Sequence, residues 1–205
     1  MKMKLTLIIV AILTALLIIS QLYFTMAKTE TQPYKIIATE KDFEIRLYPP
    51  ATMATISMGV KTYKELSSAG FRKLASYIFG DNQAKKSIAM TTPVHMEIND
   101  SLSSMSFVMP VTYTKDNLPK PNDSSINIKI TAEEYVAAIR FSGYANDGDI
   151  KKYAAKLESA LKINEIEYFG NFRFLGYNAP YQFWGRKNEI IVSVRWNQKS
   201  GGRKI

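Results

Sequence analysis

An internal repeat constrains the fold of this chain more than any other feature of its sequence. Two stretches, 43–110 and 126–196, each read as a strand, a helix and further strands. Landmark residues of the first stretch recur in the second in the same order, at an offset of about 85 residues. The pairs are Gly59 with Gly143, Leu74 with Leu157, and Pro93 with Pro180. This spacing favours duplication, so we expect two related halves.

Hydrophobic periodicity predicts the elements within each half. Apolar residues at helical spacing predict helices over 61–79 and 149–163, and strict alternation predicts half-buried strands, for example over 126–130 and 190–196. Half-buried strands with helices between them are typical of α+β proteins. We therefore expect an antiparallel sheet that closes or curls on itself, with the helices packed outside.

The N-terminus carries a long apolar segment that precedes the repeat. Residues 5–24 are almost entirely apolar, and Lys2 and Lys4 stand before them. A segment of this length can span a bilayer as a helix, and the lysines favour export of the rest of the chain. We predict a signal anchor or signal peptide over 1–27. The globular part is then expected outside the cytoplasm, either membrane-anchored at the cell surface or in the periplasm, or secreted after cleavage.

Composition excludes several kinds of site. The chain has no cysteine and one histidine, which excludes disulfides, thiolate nucleophiles, iron–sulfur clusters and metal sites with two or three histidines. The net charge is +9, but only about +4 belongs to the domain predicted over 28–196, because the N-terminal segment and a basic flexible tail over 197–205 carry the rest. We expect no nucleic-acid partner from so small an excess, and no obligate protein partner is indicated.

Aromatic and methionine side chains are abundant. The chain has 9 methionines, 10 phenylalanines and 12 tyrosines, many of which are expected in the core. Soft and planar side chains also line pockets for large flat apolar ligands, with cations at the rim. Arg72, Lys73 and Arg186 are candidate rim cations, although a solvated surface charge is the simpler interpretation of each.

Five sequence blocks resemble one protein family. They are FEIRLY at 43–48, LASYIFG at 74–80, IAMTTPV at 88–94, GYNAP at 176–180 and RKNEI at 186–190. In this order they resemble the SOUL haem-binding family over nearly all of 34–196. The resemblance implies a distorted antiparallel β-barrel built from two pseudo-symmetric repeats with two flanking helices. It also implies non-catalytic binding of haem or a related tetrapyrrole.

The resemblance also implies a site. A hydrophobic pocket is expected beside the first helix of the repeat, lined by Phe71, Leu74, Ala75, Ile78 and Met90. Where a member has an iron-ligating histidine, the resemblance places it at the position of Leu47, so this chain lacks that ligand. His95 is the remaining candidate axial ligand, because one imidazole suffices for haem iron. Its simpler interpretation is a hydrogen-bonded structural residue.

Three alternatives stay open on the sequence alone. The same barrel resembles the effector-binding domains of bacterial multidrug regulators, which hold flat aromatic or cationic ligands. A small hydrolase is the second alternative, with Glu189 or Glu97 as the base, and it predicts a strongly raised carboxylate pKa in a buried cleft. An envelope scaffold without a ligand is the third.

Overall fold

The computed structural model describes residues 2–26 and 29–196, with the side chains of residues 4 and 6–17 described in the first helix. The helices are α1 (Lys2–Met26), α2 (Tyr63–Ile78) and α3 (Asp147–Ile163). The strands are β1 (Glu30–Thr31), β2 (Lys35–Thr39), β3 (Glu44–Tyr48), β4 (Thr52–Met58), β5 (Thr91–Thr92), β6 (Val94–Glu97), β7 (Ser103–Val108), β8 (Ile126–Ile130), β9 (Glu134–Ser142), β10 (Tyr168–Gly176) and β11 (Lys187–Val194). The predicted tail over 197–205 lies outside the described residues.

Helix α1 belongs to its own compact unit, Met1–Glu30, and the remainder of the chain forms a second unit, Thr31–Ile205. The described apolar side chains of α1 are largely exposed, for example Leu7 at 64% and Leu17 at 65%. In the part of the chain that the structure describes, no helix combines the length and apolar character needed to cross a membrane, so the predicted transmembrane helix is not found there.

The second unit is built on a nine-stranded antiparallel sheet in the order β2-β3-β9-β11-β10-β6-β7-β4-β8. The predicted α+β class is confirmed, but the predicted closed barrel is wrong. Strand β2 pairs with β3 and strand β8 with β4, so these two strands are open edges of the sheet. A barrel needs its first and last strands to pair. Here two helices cover the apolar face, so the sheet buries that face without closing.

The order of strands is the same on the two sides of the junction between β6 and β10. Read outwards from that junction, one side runs β6, β7, β4 and the other runs β10, β11, β9. In each half the strand before the helix, β4 or β9, is the third strand from the junction. The hairpin that follows the helix, β6-β7 or β10-β11, lies next to the junction. The repeat seen in the sequence therefore corresponds to two like arrangements of strands and helix within one sheet.

Both α2 and α3 pack on the same face of the sheet, which we call the helix face. Leu66, Leu74 and Ile78 of α2 and Leu157 and Leu161 of α3 are at most 1% exposed. They share one hydrophobic core with inward residues of the strands on both sides of the junction. Apolar burial on this scale is the main favourable term that holds the helices on the sheet.

Short polar contacts fix the starts of the two helices. Thr62 caps α2, its hydroxyl accepting from the Glu65 N–H at 3.2 Å, and Asn146 caps α3 in the same way through Asp149. The Asp147 carboxylate accepts from the Tyr63 N–H at 2.6 Å, which ties the start of α3 to the start of α2. Carboxylates are favoured at such positions because helix N-termini carry partial positive charge.

Candidate functional site

The side of the sheet away from the helices, which we call the opposite face, is also buried in large part. The segment at 31–35 crosses it, where the Gln32 N–H donates to the Thr92 carbonyl at 2.7 Å. The ring of Tyr34 is tilted against that of Tyr48, with centres 5.2 Å apart, and Tyr48 belongs to a small apolar cluster with residues of β9, β10 and β11. Several polar side chains on this face are therefore held away from water, namely those of Arg46, His95 and Glu189.

His95 lies on the opposite face, in β6, and is 7% exposed. Its Nε2 is 2.7 Å from the Oε1 of Gln32. Burial, aided by the positive charges of Arg173 and Lys129, lowers the pKa of His95 to about 3. The imidazole is therefore neutral at physiological pH and engaged in a hydrogen bond, the arrangement expected of a structural histidine.

The most buried charged groups of the domain lie on the opposite face. Arg46 is 1% and Glu189 is 0% exposed, and the Nη1 and Nη2 of Arg46 donate to the two Glu189 oxygens at 2.8 and 3.0 Å. The Tyr177 hydroxyl donates to the same carboxylate at 2.7 Å, and Lys187 lies 3.2 Å from it. The ring of Tyr34 covers the guanidinium at 4.3 Å. Both oxygens of the Glu189 carboxylate are therefore paired within the cluster.

The charge state of Glu189 bears directly on the hydrolase alternative. Burial alone would raise the pKa of Glu189, but the hydrogen bond and charge of Arg46, with help from Tyr177, lower it to about 2. A general base that works near neutral pH needs a pKa close to that pH. The raised pKa that the hydrolase interpretation predicts is therefore wrong for Glu189.

Glu97, the other candidate base, lies at the end of β6 and is half-buried. Its Oε1 accepts hydrogen bonds from the amide groups of Asn99 at 2.9 Å and Asn171 at 2.8 Å. These two amides hold the carboxylate as part of a link between the end of β6 and strand β10. The described residues contain no cluster of three or more histidine, aspartate or glutamate side chains that would hold a metal ion.

The five residues expected to line the pocket divide into two groups. Leu74, Ala75 and Ile78 are buried on the side of α2 that faces the sheet, and Leu74 and Ile78 belong to the hydrophobic core. Phe71 and Met90 are half-buried and pack against that core, with the Phe71 ring 5.3 Å from the ring of Phe107. The role of all five in ligand binding stays a prediction.

The predicted rim cations have different surroundings. Arg72 and Lys73 line a cavity of about 260 Å³ on the outer side of α2, together with Ser76, Asp81 and other residues. Lys73 is paired with Asp123 at 2.8 Å, whereas Arg72 is exposed. Known ligand pockets measure roughly 300–1,000 Å³, so this cavity is small for a large ligand.

A second groove of about 260 Å³ lies between α3 and the strands at the junction, and sequence reasoning missed it. Its lining is mostly apolar and has amide groups and one lysine at its edge. The lining residues are Met96, Ile98, Asn99, Ile150, Lys151, Ala154, Asn171, Phe172 and Phe174. The abundance of methionine and aromatic residues was the available signal. It did not show that these residues, which come from three separate elements, would meet.

Arg186, the third predicted rim cation, stabilises the loop at 177–186, which we call the aromatic loop. Its Nη1 donates to the carbonyls of Ala179 and Gln182, each at 2.8 Å, and its guanidinium lies 4.2 Å from the ring centre of Tyr144. These contacts make Arg186 a structural residue of the loop.

Comparisons with known proteins agree with this architecture. The SOUL heme-binding protein family matches residues 29–193. Heme-binding protein 1 of Xenopus laevis is 32% identical over 161 residues, which cover 74% of this chain and 84% of that protein. Heme-binding protein 2 of Homo sapiens is 29% identical over 160 residues, which cover 72% of this chain and 76% of that protein.

Solved structures with the same fold have little sequence in common with this chain. The EcmrR C-terminal domain aligns with a TM-score of 0.60 at 8% identity, over 80% of this chain and 99% of that one. A hydrolase from Listeria innocua aligns with a TM-score of 0.55 at 9% identity, over 77% of this chain and 94% of that one. At such identities the likeness extends to the fold alone. By its sequence, the chain belongs to the SOUL heme-binding protein family.

Proposed function

We propose that the domain binds haem or a related tetrapyrrole without catalysing a reaction. The observation that carries this proposal is the family match over 29–193, together with relatives whose names state heme binding. The lowered pKa of the buried Glu189 carboxylate supports a binding role over hydrolysis, because it makes Glu189, one of the two candidate bases, a poor proton acceptor.

We place the ligand beside α2, where Phe71 and Met90 offer half-buried apolar surface and the exposed Arg72 offers a cation for a propionate. Leu74, Ala75 and Ile78 then form the packed floor beneath those two side chains. The groove between α3 and the junction is the second candidate position, because its lining is mostly apolar; its volume of about 260 Å³ equals that of the cavity at Arg72.

The residues present fit apolar capture of the porphyrin better than ligation of its iron. Leu47 is half-buried on β3 and has no ligating atom. His95 is buried and its Nε2 already has Gln32 as a partner, so ligation through that atom would cost this hydrogen bond. Hydrophobic contact and a cation near the propionates would then supply the affinity.

Titration of the purified full chain with haemin is expected to give a saturable change in the Soret band. The double variant Phe71→Ala/Met90→Ala should weaken binding by about 10- to 100-fold, since fully burying one such side chain contributes ~1.5–3 kcal/mol. Absorbance and quenching of protein fluorescence both report the dissociation constant. A wild-type titration that does not saturate below about 100 μM haemin would contradict the proposal.

The matched control is Phe172→Ala, which removes a half-buried ring from the second groove. If Phe172→Ala weakens binding and the double variant does not, the ligand occupies the groove beside α3. His95→Ala is expected to leave the position of the Soret band unchanged. A shift of that band would identify His95 as an axial ligand.

We further propose that the domain works outside the cytoplasm. The support is the sequence of the N-terminal segment, where lysines at 2 and 4 precede the apolar residues 5–24. Fusion of alkaline phosphatase after the last residue of the chain is expected to give an active enzyme, because that reporter folds only after export. Deleting residues 1–27 should abolish the signal. Equal activity with and without those residues would contradict export.

A further inference from the structure

The largest exposed aromatic side chains of the domain are gathered on the aromatic loop. Tyr181 and Phe183 are each 70% exposed and Trp184 is 83% exposed, and Tyr144 beside the loop is 54% exposed. The rings of Phe183 and Trp184 are adjacent, with centres 6.4 Å apart. Soluble proteins rarely leave a contiguous patch of large apolar side chains in water unless that patch meets a partner.

Hydrogen bonds order the loop that carries these rings. Besides the two carbonyls held by Arg186, the Asn178 Oδ1 accepts from the Lys187 N–H at 2.6 Å and closes the base of the loop. Gly185 has φ +65°, a conformation that residues with a side chain rarely adopt, and the chain bends there, directly after Trp184. The exposed rings therefore lie on a loop whose base is held by hydrogen bonds.

We propose that the tip of the aromatic loop, Tyr181 to Trp184, inserts into the interfacial region of a lipid bilayer. Tyr and Trp favour that region because each combines an apolar ring with a polar edge, and Phe183 supplies a purely apolar group beside them. Side chains exposed to this degree suit penetration to ~5–10 Å, the depth typical of interfacial anchors. The domain over 28–196 has a net charge of only about +4, so general charge attraction to anionic lipids adds little to the effect of the rings.

The surroundings of the tip agree with a shallow contact. Lys187 follows the loop directly, and Arg140 lies on the neighbouring strand with its side chain 57% exposed. Asp147 and Asp149 stand at the start of α3, on the other flank of Tyr144, so the charges near the loop are mixed. Insertion therefore depends mainly on the aromatic side chains. The proposal rests on the proposed location outside the cytoplasm.

The two tryptophans of the chain allow a direct test, because Trp184 is exposed and Trp196 is half-buried against the core. The full chain carrying Trp196→Phe would be mixed with vesicles of phosphatidylcholine and phosphatidylglycerol, with and without bromine on the acyl chains. We expect brominated vesicles to quench about half of the Trp184 emission, because an inserted ring comes within reach of the bromine atoms. The matched variant Trp184→Phe should show no quenching of Trp196.

Other outcomes overturn the proposal. Vesicle binding without quenching of Trp184 would mean that another part of the chain makes the contact. A blue shift of Trp184 that grows with protein concentration in the absence of lipid would mean that a second copy of the chain covers the loop. The variant Tyr181→Ser/Phe183→Ser keeps Trp184 as a probe and should reduce its quenching. Haemin titration of the same variants is independent, so failure here leaves the haem proposal intact.

Discussion

Replacing Arg46 by methionine is expected to lower the free energy of unfolding by about 3–5 kcal/mol, because it leaves the Glu189 carboxylate buried without its main partner. Glu189 is 0% exposed and receives two hydrogen bonds from Arg46. Neither Lys187 nor Tyr177 replaces a guanidinium that binds both oxygens. Urea denaturation followed by circular dichroism measures the loss.

Two control variants distinguish the cost of leaving a buried charge unpaired from the cost of losing the contacts of Arg46. The double variant Arg46→Met/Glu189→Leu removes both charges and is expected to recover most of the stability. Arg173→Met breaks a similar bidentate pair with Glu134 on the same face, where the two side chains are partly exposed, at 20% and 26%. It should cost less than about 2 kcal/mol. If Arg46→Met costs no more than Arg173→Met, burial is not the source of the effect.

The ion pair of Arg46 and Glu189 also makes the free energy of unfolding depend on pH. The pKa of Glu189 is about 2 in the folded chain and 4.5 in its ordinary state. Because its pKa is lower in the folded chain, the ionised Glu189 carboxylate stabilises the folded state. This stabilisation is fully present above the ordinary pKa and is lost as the pH falls from there through the folded pKa. The Arg46→Met/Glu189→Leu variant should therefore lose less stability than the wild type between about pH 4.5 and pH 2.

The local elements could be predicted from the sequence because their signal is local. Residues 149–163 carry the apolar stripe of a helix, and α3 is found at Asp147–Ile163; the alternation over 126–130 coincides with β8. Closure of the sheet could not be predicted in this way. It depends on whether the edge strands β2 and β8 meet, and a period of two residues is the same in an open and a closed sheet.

The side-chain contacts of the candidate site could not be predicted from the sequence. Arg46 and Glu189 are 143 residues apart, and His95 and Gln32 are 63 residues apart, so no spacing along the chain brings either pair together. A charged residue that alternates with apolar ones in a strand was the available signal for Arg46. The resemblance predicts a pocket beside α2, and burial distinguishes the predicted residues that a ligand could reach from those that support them.

Replacing Leu74 by alanine tests that distinction, and it is expected to lower the free energy of unfolding by about 2–5 kcal/mol. Leu74 is 0% exposed in the core shared by α2 and the sheet, so the smaller side chain leaves a cavity there. Phe71→Ala removes a half-buried ring and should cost only about 1–2 kcal/mol, since part of that ring is already in contact with water.

The same two variants should affect haemin binding in the opposite order. At a temperature where Leu74→Ala remains folded, its affinity for haemin is expected to equal that of the wild type, because Leu74 is fully buried and lies outside the surface proposed for the ligand. Phe71→Ala should weaken binding by about tenfold despite its smaller effect on stability. A folded Leu74→Ala variant that loses more haemin affinity than Phe71→Ala would mean that the ligand enters the core beneath α2. The half-buried side chains would then form the entrance to the site and would not be its binding surface.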